Sequence, residues 1–85
     1  MTFYVYMLLS ADNTLTYVGY TNDLNKRLNN HNTGKGAKFT RGRRWKLIYK
    51  QSYSLKKNAM KEEFLLKKNF NYRKKIKLKY LDNIK

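Results

Sequence analysis

Arg27 and His31, one helical turn apart, and Glu63, a carboxylate among apolar neighbours, are the residues whose types and spacing could do chemistry here. Leu24, Arg27, Leu28 and His31 fall at i, i+3, i+4 and i+7. A helix that buries the two leucines against a sheet therefore brings Arg27 and His31 out along the seam. The local alternative is an Arg27 paired with Asp23 and a His31 favoured by the helix C-terminal dipole. Glu63 has Ala59, Met60 and Leu66 at i−4, i−3 and i+3, whereas Glu62 lies at the edge of that arc. A carboxylate on such a face needs a partner. The candidates are a divalent cation and Arg27, against an ordinary surface pairing with Lys67 at i+4. Tyr4, Tyr6, Tyr17 and Tyr20 occupy two apolar runs that read as a hairpin. Tyr6 and Tyr17 can approach across it, and Gly19 leaves the strand surface open for a ligand. Tyr4 and Tyr20 read as ordinary strand residues.

The rest of the inventory narrows this chemistry by exclusion. The chain has 85 residues, no cysteine and one histidine, so disulfide frameworks, zinc fingers and thiol nucleophiles are ruled out. A two-histidine ribonuclease mechanism is ruled out as well. Of the five acids, Asp12, Asp23 and Asp82 fall in turns or at an end, away from Glu63, so the carboxylate cluster of a two-metal nuclease is absent. For phosphodiester hydrolysis there remains one cation on Glu63, Arg27 neutralising the phosphate, and a tyrosine or His31 moving the proton of the attacking water.

Charge supplies the substrate class. Twenty Lys and Arg against five Asp and Glu give +15. Asp12, Asp23, Lys26 and Arg27 cancel before Gly34, so the whole excess lies in residues 35–85. A polyanion is the natural partner, each neutralised phosphate adding a salt slope of about 0.9 on duplex DNA. An AT-rich genome also inflates lysine and asparagine, but it does not explain Arg41, Arg43 and Arg44, which with Lys35 and Lys38 make the stretch from Gly34 to Arg44 a basic loop. No apolar run approaches a membrane span, and the opening MTFYVYMLLS lacks the basic start of a signal peptide, so a cytoplasmic protein is expected. At 41% hydrophobic residues the chain is too apolar for a disordered basic tail.

The elements that must position these residues follow from periodicity. Thr2 to Leu9 and Leu15 to Tyr20 form the hairpin, and Thr21-Asn22-Asp23 caps a helix carrying Leu24, Leu28 and His31 that ends at Asn32-Thr33-Gly34. Trp45 to Tyr53 is a third strand, with Trp45, Leu47 and Tyr49 on one face and Ile48 on the other. A helix runs from Ser54 to about Phe70 with an apolar arc of Leu55, Ala59, Met60, Leu66 and Phe70. In the basic segment 71–85, Tyr72, Ile76 and Tyr80 suit a short helix, while Ile76, Leu78 and Tyr80 alternate like a strand. The order ββαβα, with the short C-terminal helix, gives one α+β domain over residues 1–85, its small three-stranded sheet flanked by helices.

Tyr4-Val5-Tyr6, Tyr17-Val18-Gly19, Arg27 ten residues after Tyr17, His31, and Glu63 within Ala59-Met60-Lys61-Glu62-Glu63 resemble the GIY-YIG nuclease domain, in its small stand-alone bacterial-type form. The resemblance covers roughly residues 3–70, including YVGYTNDLNKRLNNHNTGKGAKFTRGRRWKLIYK. It implies an antiparallel three-stranded sheet and one-step, metal-dependent endonucleolytic hydrolysis of DNA through a single Mg²⁺ or Mn²⁺, in repair, recombination or processing. By the same resemblance Tyr6 and Tyr17 are the motif tyrosines, one a general base or water-orienting group. Gly19 packs the strand, Arg27 contacts the scissile phosphate, His31 assists proton transfer or binds phosphate, and Glu63 holds the metal. Lys35, Lys38, Arg41, Arg43 and Arg44 would grip nucleic acid, DNA before RNA. Two departures stand out: Tyr4 replaces the name-giving Gly, and neither Asn69 nor Asn71 has the spacing of the Asn that braces the metal Glu in many members. The extra DNA-binding module of repair and homing members is also missing, so weak, non-specific or partner-directed activity is expected. The alternative is a catalytically inactive nucleic-acid-binding module whose tyrosines stack bases on the same basic surface. A ribosome-associated basic protein gives no reason for Glu63 to lie on an apolar face.

Overall fold

The chain's structure, a computed structural model, describes residues 1–84. Strand β1 (Phe3–Ser10) leads into β2 (Thr16–Thr21), helix α1 (Leu24–Asn32), a single 3-10 turn (Lys38–Thr40), strand β3 (Trp45–Tyr53), and helices α2 (Lys56–Lys68) and α3 (Phe70–Asn83). The strands form one antiparallel sheet in the order β2-β1-β3. With helices on both faces, the central strand is covered on both sides. Val5 through Ser10 are therefore buried without a break, which is why this strand reads as a continuous apolar run rather than an alternation.

Side chains alternate across the sheet into two clusters. Val5, Met7 and Val18 meet Ala59 and Leu66 of α2, with Ile76 of α3 packed against them. Tyr6, Leu8 and Trp45 form the other cluster with Tyr17, Leu24, Leu28 and Leu47. Met7 and Leu8 are wholly buried, each worth about 1.5–3 kcal/mol of transfer free energy. The hairpin turn is closed by Ser10, whose hydroxyl accepts from the Leu15 N–H at 2.9 Å and donates to Asp12 at 2.6 Å. Asn13 takes the left-handed conformation there, at φ 65°, as a short polar side chain can.

Three expectations are corrected. Trp45, Leu47 and Tyr49 do not share a face: Met7 pairs with Tyr49 but Leu8 with Leu47, so Ile48 is an extra residue in a β-bulge. The bulge turns Trp45 and Leu47 toward Tyr6 and Leu8, and Tyr49 toward Met7. In α2 the inward stripe is Ala59, Glu62, Glu63 and Leu66, at i, i+3, i+4 and i+7; Leu55, Met60 and Phe70 are exposed. Glu62 and Glu63 flank the buried Ala59–Leu66 line on its two sides, and Glu62 lines a cavity of about 250 Å³ with Tyr49, Tyr53 and Tyr72. Finally, the C-terminal helix is not short. It has 14 residues against 13 in α2, and no residue of it is in a strand. Asn69 divides the two helices: its N–H closes α2 on Leu65 and Leu66, and its side chain accepts from Tyr72 N–H at 3.0 Å to start α3. Lys85 of the expected basic segment lies outside the described residues. No helix among the described residues is long and apolar enough to cross a membrane.

Candidate functional site

On the α1 face of the sheet, Tyr6 lies directly across from Gly19, and Leu8 from Tyr17, so the two tyrosines are diagonal neighbours. The space above Gly19 is filled by Tyr6 itself. A Cβ at Gly19 would stand 2.4 Å from the Tyr6 oxygen and 2.7 Å from Cζ. Gly19 thus admits the phenol of its own sheet rather than a ligand, correcting the open-surface expectation and agreeing with its packing role.

Helix α1 supplies the partners. Asp23 caps it by accepting from the Lys26 N–H at 3.1 Å, so Arg27 is free of the local pairing and its Nε–H donates instead to Tyr6 Oη at 3.4 Å. One turn on, His31 Nε2 meets the same oxygen at 2.9 Å. His31 Nδ1 lies 2.9 Å from Thr40 Oγ1, and the Thr40 hydroxyl donates to the Ala37 carbonyl at 2.8 Å. Tyr17 lies over His31, ring centroids 4.9 Å apart, and is half-buried. The apolar stripe of α1 has therefore gathered Tyr6, Tyr17, Arg27 and His31 on one face of the sheet.

Electrostatics follow burial. Tyr6 is 1% exposed, and that burial pushes its phenol up, against the lowering effect of the Arg27 hydrogen bond and then of its charge; Tyr17 and Glu63 add to the rise. Burial, and then the Arg27 charge, hold His31 below the usual histidine value, so its ring is neutral at neutral pH. Arg27 is driven further up, chiefly by the Tyr6 hydroxyl. His31 is 0% exposed with both ring nitrogens engaged. Arg27 does reach solvent, lining an open groove with Phe3, Tyr20, Thr21, Asn22 and Lys56.

Glu63 stands on α2, its side chain 17% exposed and paired with Lys67 at 3.3 Å. The surface pairing weighed against a metal is thus present, and no hydrogen bond joins Glu63 to Arg27. Among the described residues no three His, Cys, Asp or Glu converge on a metal. One half-buried carboxylate suits a hard divalent ion that takes its remaining ligands from water and substrate oxygens, and does not suit zinc.

Three residues were not singled out from the sequence. Thr40 is 0% exposed beneath His31. Gly36 closes over the same ring, a Cβ there meeting Nδ1 at 2.5 Å and the His31 Cα at 3.0 Å. Phe39, 49% exposed, stacks on Tyr17 at 6.3 Å and 21° and carries Arg43 over its other neighbourhood at 6.0 Å. It joins the site to the basic loop, where Lys35, Lys38, Arg41, Arg43 and Arg44 are all exposed. An aromatic flanked by cations in Lys38-Phe39-Thr40-Arg41 was the available signal.

Sheet, helices and the tyrosine–arginine–histidine cluster place the chain among small α+β nuclease-type domains. It belongs to the GIY-YIG family: the GIY-YIG catalytic domain matches residues 2–77, reaching beyond the motifs into α3. A UPF0213 protein of Streptococcus agalactiae is 52% identical over 65 residues, covering 75% of this chain and 73% of that protein. The UPF0213 protein YazA of Bacillus subtilis is 42% identical over 83 residues, 96% of this chain and 83% of its own length. The solution NMR structure of a UPF0213 protein from Bacillus halodurans superposes with a TM-score of 0.53 at 38% identity, covering 88% of this chain and 80% of that one.

Proposed function

We propose that the chain is a metal-dependent endonuclease that hydrolyses phosphodiester bonds in DNA in the cytoplasm, in repair, recombination or processing, with target choice supplied by a partner. The observation that carries this reading is the Arg27–Tyr6–His31 hydrogen-bond chain, held at 3.4 and 2.9 Å beside a groove open to solvent. A buried phenol pushed upward is not a standing phenolate. It serves better as a relay. When Arg27 turns from Tyr6 to a non-bridging phosphate oxygen, the Tyr6 oxygen is released. Water attacks phosphorus, its proton passes to Tyr6 Oη, and the Tyr6 proton passes to the neutral His31 Nε2, while the P–O bond to the leaving oxygen breaks and that oxygen takes a proton from solvent. Tyr17, half-buried beside them, orients the water. Glu63 would hold Mg²⁺ or Mn²⁺ by exchanging its Lys67 partner, and the ion when bound supplies charge stabilisation to the leaving oxygen. Removing one such charged contact typically costs about 10²–10³-fold in rate.

The Glu63–Lys67 pair is also what a binding-only module would show. Purified protein incubated with nicked, branched and single-stranded DNA and RNA plus Mg²⁺ or Mn²⁺ separates the two. The endonuclease reading expects divalent-dependent cleavage that Glu63→Ala and Arg27→Ala each reduce at least about 100-fold. Cleavage that survives Glu63→Ala overturns it. Salt-sensitive binding without cleavage, unchanged by both substitutions, establishes the binding module instead.

A further inference from the structure

The hydrogen bonds from Arg27 to Ala37 form one chain whose proton order is set at both ends. At the inner end the Ala37 carbonyl can only accept, and it takes the Thr40 N–H at 3.0 Å and the Thr40 hydroxyl proton at 2.8 Å. With its one proton so engaged, Thr40 Oγ1 must accept at its 2.9 Å contact with His31, and Nδ1 carries the hydrogen. A neutral imidazole then has a bare Nε2, which accepts from the Tyr6 hydroxyl at 2.9 Å. At the outer end the Tyr6 oxygen accepts from Arg27 Nε–H at 3.4 Å.

The reverse order fails twice. A hydrogen on Nε2 would leave Tyr6 facing two donors, with its own proton lacking an acceptor in a site 1% exposed. A Thr40 hydroxyl turned toward Nδ1 would set two oxygens lone pair to lone pair across 2.8 Å. Unmatched buried groups of this kind are strongly disfavoured.

We infer that Thr40 is a positioning residue that locks His31 in its Nδ1–H tautomer, so that the bare Nε2 draws the Tyr6 proton inward. Thr40 is itself held. Its carbonyl accepts from the Trp45 indole N–H at 3.0 Å, and the Asn32 side chain at the end of α1 grips Trp45 through N–H at 2.6 Å and C=O at 3.3 Å. Gly36 lets the loop lie close enough for this contact. The inference rests on the nuclease reading in one respect: it makes His31 the end of the proton path, with Thr40 still able to accept from Nδ1 when the ring is charged.

Because the chain has one histidine, long-range ¹H–¹⁵N NMR of the free protein, above the histidine titration range, reads the tautomer without ambiguity. The expected spectrum shows a protonated Nδ1 and a bare Nε2. Thr40→Ser should keep both shifts, and Thr40→Val, which leaves Nδ1–H without an acceptor and only Tyr6 to hold the order, should move them part of the way toward the other tautomer. Cleavage by Thr40→Val should fall at least about tenfold, the scale on which outer partners of a functional histidine act, with Thr40→Ser close to the parent. A protonated Nε2 in the parent, or shifts unchanged by Thr40→Val in a folded protein, overturns the inference. If Thr40→Val does not fold, Thr40→Ala takes its place. The tautomer is measured without DNA, so a protein that cuts nothing removes the nuclease reading and leaves the role of Thr40 decided by the spectrum.

Discussion

Replacing Gly19 by alanine puts a methyl group where the Tyr6 phenol now lies. The new Cβ would stand 2.4 Å from Oη, and ordinary contact begins at 3.4 Å, so oxygen and methyl must part by about 1.0 Å (3.4 − 2.4). Tyr6 has little freedom to yield, since it is 1% exposed and its hydroxyl is bound to His31 at 2.9 Å and Arg27 at 3.4 Å. A shift of that size breaks at least one of these bonds. Overpacking costs about 1–3 kcal/mol and a lost hydrogen bond about 0.5–1.5 kcal/mol. A domain this small holds only about 3–5 kcal/mol, so Gly19→Ala should melt much lower and stand near the edge of folding; the combined loss of roughly 3 kcal/mol corresponds to about 12–24 °C. On the proposed nuclease mechanism, displacing Tyr6 by about 1 Å should also cost roughly 10²-fold in cleavage. Thermal melts followed by circular dichroism, with the His31 Nε2 shift recorded on the same samples, check both. An unchanged Tm together with an unchanged Nε2 shift would refute the claim that the missing Cβ houses Tyr6.

The hairpin turn gives a pH signature. Hydrogen bonds from the Ser10 hydroxyl, then from the Thr14 hydroxyl and N–H, hold the exposed Asp12 carboxyl down from 3.8 to about 2. A depressed acid contributes stability that is complete above its unfolded value and lost as pH falls through the folded one. The parent should therefore lose stability between pH 3.8 and about 2, and Asp12→Asn should lack that part of the drop. Coincident acid-side melting curves for parent and variant would remove the turn from the account. Phe39→Ala should weaken single-stranded DNA binding by about 1–3 kcal/mol, roughly 5- to 150-fold, at an unchanged salt slope, whereas Arg43→Ala should flatten the slope by about 0.7. Affinity titrations at several salt concentrations separate the two effects. A flattened slope with Phe39→Ala and none with Arg43→Ala would reverse their assigned roles.

How far the fold was legible depends on where each signal lies. The hairpin, α1 and β3 fall within one or two residues of their expected limits, because a buried strand, a capped helix and an aromatic strand each declare themselves locally. That Arg27 and His31 leave the apolar stripe along the seam was legible for the same reason, whereas their meeting on Tyr6 was not, since it joins residues 21 and 25 positions apart. The bulge at Ile48 was not, since one added residue exchanges faces without altering composition. The α2 wheel misled because Leu55, Met60 and Phe70 are apolar yet exposed, while two glutamates face inward. Thr40 and Gly36 sit in a loop without periodicity, and their roles come from contacts with Trp45 and His31 that no local pattern encodes.

The placement of charge completes the physical reading. All of the +15 excess lies after Gly34, yet Tyr6, Tyr17, Arg27 and His31 come from the neutral part. From the cationic part, Thr40 enters the hydrogen-bond chain as an uncharged group, and Glu63 stands nearby as an anion. Had the loop lysines and arginines packed against the site, their repulsion would have opposed burial of Arg27 and the tight enclosure of Tyr6. Exposed on the loop instead, they act at a distance and are screened by salt. Arg27 rests on the Tyr6 oxygen, at 3.4 Å, while facing the groove. On the proposed nuclease reading, attraction of a polyanion falls mainly to the exposed loop cations and placement of one phosphate to Arg27, with Lys56 lining the same groove.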